Sequence, residues 1–310
     1  MKIRNFVRSI TAIVIILACN ENANADSIEL PIKVCTTLSS YADIAKTIGG
    51  DRVEASSVAS PRFNPHFIEA RPSDVLKIKR ADLFIHSGLD LEAWRGPLLD
   101  AVAKSEFREG GAKQIDLSEG IALLEVPSGQ VSRAEGDIHM FGNPHYWPDP
   151  RNGIIIAKHI AAKLIEIDPA GAAEYTKNLN SFMDALNAKI QSWSEALKPY
   201  AGKEVIGYHN EWPYLMAFAK LSMTQFVEPK PGIPPGPQHL AELETFIKAK
   251  SVKVLIQASY FPKEAGDYLH DKTGITVLSL CQNVGELPEC GNYIAMIDYD
   301  LNQIVKAFKS

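Results

Sequence analysis

The sequence predicts an α/β protein: two α/β lobes, each a parallel sheet covered by helices, joined by one long backbone helix. Three observations predict it. Short strand-like apolar runs alternate with helical stretches from residue 30 to 105, and the alternation restarts after Pro199; such alternation builds parallel, helix-covered sheets. The intervening stretch, 153–198, carries helical periodicity alone. A chain of 310 residues is long enough for two domains with a substantial core in each. The expected division is a leader at 1–25, an N-terminal lobe at 26–168, a linking helix at 169–199 and a C-terminal lobe at 200–310.

In order, LPIKVC (30–35) reads as the opening strand, and 41–48 as a helix stopped by Gly49-Gly50. Strand 53–58 follows, then a loop at 61–66, a short helix at 72–79, strand 81–86 (ADLFIH) and a helix at 91–105. Helix 153–166 places Ile154, Ala157, Ala161, Leu164 and Ile165 on one face. Pro169 suits a first helical turn, and 170–198 continues as a rod of about 45 Å at 1.5 Å per residue. Beyond it lie strand 204–208, helix 213–219, strand 225–227 and a rigid proline-rich loop, EPKPGIPPGP (228–237). Helix 238–250, strand 252–256, helix 262–273, strand 276–280 and helix 293–308 complete the second lobe.

Composition narrows the function. The chain is 46% hydrophobic and 22% charged, as soluble globular proteins are. A net charge of −5 without a Lys/Arg stripe argues against nucleic-acid partners. Lys2, Arg4 and Arg8 precede an apolar run at 10–19, the pattern of a secretory leader. Two processing readings compete: an A-x-A site at Ala23-Asn24-Ala25 releases a soluble periplasmic chain from Asp26, whereas a lipobox-like ILAC (16–19) leaves Cys19 lipidated. Leu17 is uncommon at its lipobox position, which favours the soluble product. Three cysteines remain in an oxidising compartment. Cys281 and Cys290 flank a short loop and can close a disulfide, while Cys35 reads as a small buried hydrophobe.

The chemistry concentrates in GDIHMFGNPHYWPDP (136–150), a proline-stiffened polar loop carrying His139 and His145. Its Asn143-Pro144-His145 repeats the earlier Asn64-Pro65-His66. His209 follows strand 204–208 directly. In open α/β sheets ligands gather beyond the carboxyl ends of strands, and imidazoles suit zinc and other late first-row divalent ions. His66, His145 and His209 are therefore the candidate metal ligands. Secondary candidates are His139 (a fourth ligand, a recruiting group or an exposed loop residue), with Glu211 and Glu228 (ligands, supports for a histidine or turn caps). Asp149 reads as a helix cap, and Trp147 and Trp212 as site walls or core. His86 closes its strand; His159, His239 and His270 look like surface residues on helices. H-E-x-x-H, G-x-S-x-G, Walker and G-x-G-x-x-G motifs are absent. A three-histidine site with an open position also fits a zinc hydrolase, with Glu211 as base.

Several segments, in order, resemble the zinc/manganese-binding solute-binding proteins of bacterial ABC transporters. VCTTLSSYADIAKTIGGDRVEASSV (34–58) resembles that family's opening, NPHFIEARPSDVLKIKRADLFIHSGLDLEAW (64–94) its first ligand segment and NPHYWPDP (143–150) its second. VIGYHNEWPYL (205–215) resembles the third, and PPGPQHLAEL (234–243) the helix after it. The resemblance implies a non-enzymatic, monomeric periplasmic protein that captures a metal ion, with Zn²⁺ ahead of Mn²⁺ because the ligands are nitrogens. It would deliver the ion to an ABC permease, while the long helix keeps lobe motion small. An adhesin-like surface role stays open beside it. By the same resemblance His66 and His145 would come from the first lobe and His209 from the second, placing the metal site in the inter-lobe cleft. Where the family often supplies an aspartate after the strand at 276–280, this chain has Cys281, a thiolate ligand unless bonded to Cys290; the family's long histidine-rich loop is reduced to His139. Imidazole ligation predicts affinity that falls as pH drops through about 6.5.

Overall fold

A computed structural model describes residues 31–129 and 139–309. The leader, both of its processing readings and the first residues of the 136–150 loop lie outside the described residues.

The first sheet contains β1 (Ile32–Thr36), β2 (Val53–Ser57), β3 (Leu83–His86) and β4 (Gln114–Asp116), in the order β2-β1-β3-β4. The second contains β5 (Glu204–Gly207), β6 (Ser222–Phe226), β7 (Val254–Ala258) and β8 (Thr276–Leu280), in the order β6-β5-β7-β8. All pairings are parallel. The two lobes thus repeat one topology, and in each the first strand lies between the next two. That is the switch point beyond which open α/β sheets take ligands. His209 lies just past β5, at the switch point of the second lobe.

Helices α1 (Ser39–Gly49), α2 (Pro72–Lys79), α3 (Arg95–Val102) and α4 (Pro150–Ile167) belong to the first half; α6 (Pro213–Ala219), α7 (Pro237–Lys250), α8 (Glu264–Thr273) and α9 (Tyr293–Lys309) to the second. Between them runs α5 (Ala172–Leu197), whose 26 residues span about 39 Å. Its buried residues, Tyr175, Phe182, Leu186, Trp193 and Leu197, form one stripe. That stripe packs on α1 and α4 at one side and on α6 and α9 at the other. One apolar core therefore runs from Ile32 and Ile44 through Trp147 and Leu186 to Trp212 and Met296. Lys189–Asp298 at 2.7 Å ties α5 to α9, and Arg52–Asp168 at 2.7 Å ties the turn after α1 to the end of α4.

Three local departures from the sequence reading have physical causes. The rod does not begin at residue 170: Pro169–Gly171 forms a separate 3₁₀ turn, with the Asp168 carboxylate accepting from Arg52 Nε (2.8 Å) and Tyr175 OH (2.6 Å). α3 starts at Arg95 rather than 91, because Gly88, Leu89 and Asp90 all hold positive φ (69°, 53°, 59°) and delay helix entry. β4 has three half-buried residues, too short for a periodic signal. Asp149 caps α4 as expected, accepting from Arg151 N at 2.8 Å. Among the described residues no helix is long and apolar enough to cross a membrane.

Leu186 is fully buried at the centre of the α5 stripe. Leu186→Ala is expected to cost about 2–5 kcal/mol, read as a lower urea midpoint at unchanged m-value; a change below about 0.5 kcal/mol would deny α5 its role as a shared core element.

Candidate metal centre

Each Asn-Pro-His segment builds the same turn. The Asn64 side-chain oxygen accepts from His66 N at 3.0 Å, and the Asn143 oxygen accepts from His145 N at 3.0 Å. This Asx turn, followed by a proline that fixes φ, points each imidazole from a stiff base. Trp94 Nε1 donates to Pro65 O (2.8 Å) and Tyr214 OH donates to Asn143 O (2.8 Å), anchoring both turns. Asn143 also reaches the second lobe, donating to Asn210 O at 2.9 Å; the Glu125 carboxylate accepts from both Asn143 (3.0 Å) and Asn210 (2.7 Å).

The histidines converge. His66 Nε2 and His145 Nε2 lie 3.0 Å apart. Two nitrogens bound to one tetrahedral zinc at about 2.0–2.1 Å would lie about 3.3 Å apart, so this pair is already close to the spacing an ion needs. Ligand atoms of His66, His139 and His145 all fall within 4.8 Å of one another. The His209 ring comes from the other lobe, its centroid 5.6 Å from that of His66 and 5.7 Å from that of His145. The His139 ring stacks on His66 at 5.0 Å. His66, His145 and His209 are 8%, 1% and 6% exposed, so the pocket is nearly dry. Burial, and then the neighbouring histidines, hold the pKa values of His66 and His145 well below the ordinary imidazole range. Both rings therefore keep their neutral form to a lower pH than the sequence reading expected.

Two rings are held by carboxylates. Glu228 Oε2 accepts from His209 Nδ1 at 2.8 Å and from Gly232 N at 2.9 Å, so the proline-rich loop carries a support for His209. Asp90 Oδ1 accepts from His139 Nδ1 at 2.7 Å. A carboxylate bonded to Nδ1–H leaves Nε2 as the lone-pair donor, the arrangement common around metal-bound histidine. Asp90 was not legible as a site residue; its only signal was the turn after Ser87-Gly88.

The other candidates fall elsewhere. Glu211 is 1% exposed, and its Oε2 accepts from Tyr260 OH at 2.7 Å. Burial raises its pKa well above the ordinary carboxylate range. The disulfide expected between Cys281 and Cys290 forms, and the alternative of Cys281 as a thiolate ligand falls with it: its sulfur is fully buried and bonded to Cys290, so it offers no thiolate to an ion. Cys35 is the small buried residue expected, its thiol pushed up to about 12 by burial. Trp147 is both wall and core: its ring lies 5.4 Å from His145, and its Nε1 donates to Gln282 O at 2.6 Å. Trp212 is fully buried. His86 is buried between Gln114 (2.7 Å) and Arg95 (2.9 Å). His239 and His270 do more than decorate the surface, bonding the Phe226 carbonyl at 2.9 Å and the Ile275 carbonyl at 2.7 Å.

Comparison with known proteins gives the family. The family described as ZnuA, zinc-uptake complex component A periplasmic, matches residues 34–307. A metal ABC transporter substrate-binding lipoprotein, SsaB of Streptococcus sanguinis, is 34% identical over 177 residues, covering 57% of this chain and 55% of its own. The manganese ABC transporter substrate-binding lipoprotein scaA of Streptococcus gordonii is 35% identical over 192 residues, covering 60% of this chain and 58% of its own. The matched regions thus span somewhat over half the length of these relatives. Among solved structures, a crystal structure of ZnuA superposes with a TM-score of 0.74 at 22% identity, covering 89% of this chain and 98% of that one. The solute-binding protein FpvC of Pseudomonas aeruginosa in complex with Mn²⁺ does so with 0.74 at 24%, covering 90% and 98%. These likenesses share the two-lobed fold with its connecting helix. The family whose model matches residues 34–307 consists of solute-binding proteins, not catalysts, and this chain belongs to it, the ZnuA family of ABC-transporter metal-binding proteins.

Proposed function

We propose that this protein captures a divalent transition-metal ion, Zn²⁺ before Mn²⁺, in the periplasm and delivers it to an ABC permease. The observation that carries the reading is the buried convergence of His66, His139 and His145, with His209 closing from the second lobe. His66, His145 and His209 are the core ligands and His139 the fourth; Glu228 supports His209 from behind. An all-imidazole set favours zinc and its late first-row neighbours, whereas Mn²⁺ prefers carboxylate oxygen. The relatives named for manganese make the choice of ion the point to test. The family description supports the periplasmic setting, and the relatives' names bring lipidation at Cys19 into question beside cleavage before Asp26. Capture requires coordination alone, and the continuous core across α5 limits closure to small motions, so release would come from local rearrangement of the site loops.

Titration calorimetry on chelator-treated protein is expected to show one tight zinc site and weaker manganese binding. His145→Ala should weaken zinc by more than the about 10–100-fold typical of losing an outer support; absence of zinc binding, or an unchanged affinity in that variant, would sink the reading.

The lowered pKa values of His66 and His145 give a second expectation. In the metal-free protein their ring resonances should still report neutral imidazole where a free one, at about 6.5, is half protonated. Below that pH the unfolded chain takes up protons these rings refuse, so their contribution to stability is lost as pH falls from about 6.5 toward the lowered folded values. NMR titration of the two rings checks this, and midpoints at or above 6.5 would contradict it.

Mass spectrometry of the exported protein should find an N-terminus at Asp26. A diacylated Cys19 would instead make it membrane-tethered.

A further inference from the structure

Asp90 contacts the site without belonging to any proposed ligand set. Its carboxylate is two-pronged: Oδ1 accepts from His139 Nδ1 at 2.7 Å, and Oδ2 accepts from the Met140 backbone N–H at 3.1 Å. It therefore fixes both the ring and the chain that carries it. The carboxylate is presented by an unusual turn, in which Gly88, Leu89 and Asp90 are three successive residues at positive φ (69°, 53°, 59°). Side-chain-bearing residues are strained in this region and persist there only where their surroundings enforce it. Here they do. Glu92 Oε1 accepts from Ser87 N at 2.8 Å, and Tyr146 OH donates to Ser87 O at 2.7 Å. Tyr146 is the neighbour of His145, so the turn that holds His139 is fastened to the segment that carries a central ligand.

The result is a directed lone pair. With its Nδ1 proton given to Asp90, His139 presents Nε2, which is buried and has no hydrogen-bond partner among the described residues. Leaving such a buried nitrogen unpaired is unfavourable, a penalty that coordination would remove. Glu228 does the same for His209. The two inner rings are aimed by Asn-Pro turns, and the two outer ones by carboxylates.

We propose that Asp90 is a positioning residue that determines specificity: it fixes His139 as a fourth imidazole, making a four-nitrogen site that selects Zn²⁺ and other late divalent ions against Mn²⁺. The step rests on the metal-capture reading above. Without Asp90 the fourth position would fall to water, a hard oxygen ligand that Mn²⁺ accepts well.

The test uses the exported protein, with zinc and manganese as probes, as wild type, Asp90→Gly, Asp90→Asn, His139→Ala and the Asp90→Gly/His139→Ala double variant. Glycine removes the carboxylate and relaxes the positive-φ backbone, so folding is preserved. Asparagine tolerates the same backbone and keeps one acceptor oxygen. Zinc affinity is expected to fall about 10–100-fold in Asp90→Gly with manganese affinity little changed, and to recover in part in Asp90→Asn. X-ray absorption at the zinc edge should count four imidazoles in wild type and three in Asp90→Gly. The double variant should bind no more weakly than His139→Ala, since Asp90 acts only through that ring. Four imidazoles retained in Asp90→Gly, an unchanged zinc-to-manganese ratio, or a double variant clearly weaker than His139→Ala would each overturn the role of Asp90 alone. Failure of the wild type to bind zinc would instead overturn the capture reading and this one with it.

Discussion

The structure depends on keeping unprotonated nitrogen bases together in a nearly dry pocket. Imidazoles in water are solvated, move freely and protonate near neutrality; here His66 and His145 sit 3.0 Å apart with almost no exposed surface. Holding such groups together, with little water to solvate them, is unfavourable unless rigid surroundings enforce it or an ion rewards it. The rest of the site supplies the rigidity: matched Asn-Pro turns under the inner rings, Asp90 and Glu228 behind the outer ones, and Trp147 closing one wall.

That local stiffness is useful only if the two lobes stay in register, because His209 comes from the opposite side. The long helix does more than connect. Its apolar stripe belongs to the same core as both sheets, and polar links through Asn143, Asn210 and Glu125 cross the cleft beside the histidines. The loop closed by the Cys281–Cys290 disulfide adds another clamp: Gln282 O accepts from Trp147, Gln282 Nε2 donates to Glu211 O, and Asn283 Oδ1 accepts from Ser40. A cleft braced in this way suits capture by coordination better than capture by wide domain closure.

Glu211 shows how chemistry read from spacing is redirected by packing. Two residues from His209, it looked like a ligand or a base; in the fold its carboxylate turns to Tyr260, and burial favours its neutral form. Cys281 follows the same logic, since its sulfur is already spent on Cys290. The donors that remain are nitrogens, the ground on which zinc is proposed before manganese, while several relatives are named for manganese.

Legible in the residues alone were the alternation of strands and helices, the long helix, the cap at Asp149 and the three histidines at strand ends or prolyl corners. Those features are written in local periodicity, in proline and in short-range turn chemistry. The sequence did not reveal β4, which is too short to have a period, or the delayed start of α3, which depends on a strained turn at 88–90. Nor did it show which carboxylates serve the site. Asp90 and His139 are 49 residues apart, and His209 and Glu228 are 19 apart. Only the tertiary structure decides such pairings, because a hydrogen bond is made by the fold that brings its two ends together.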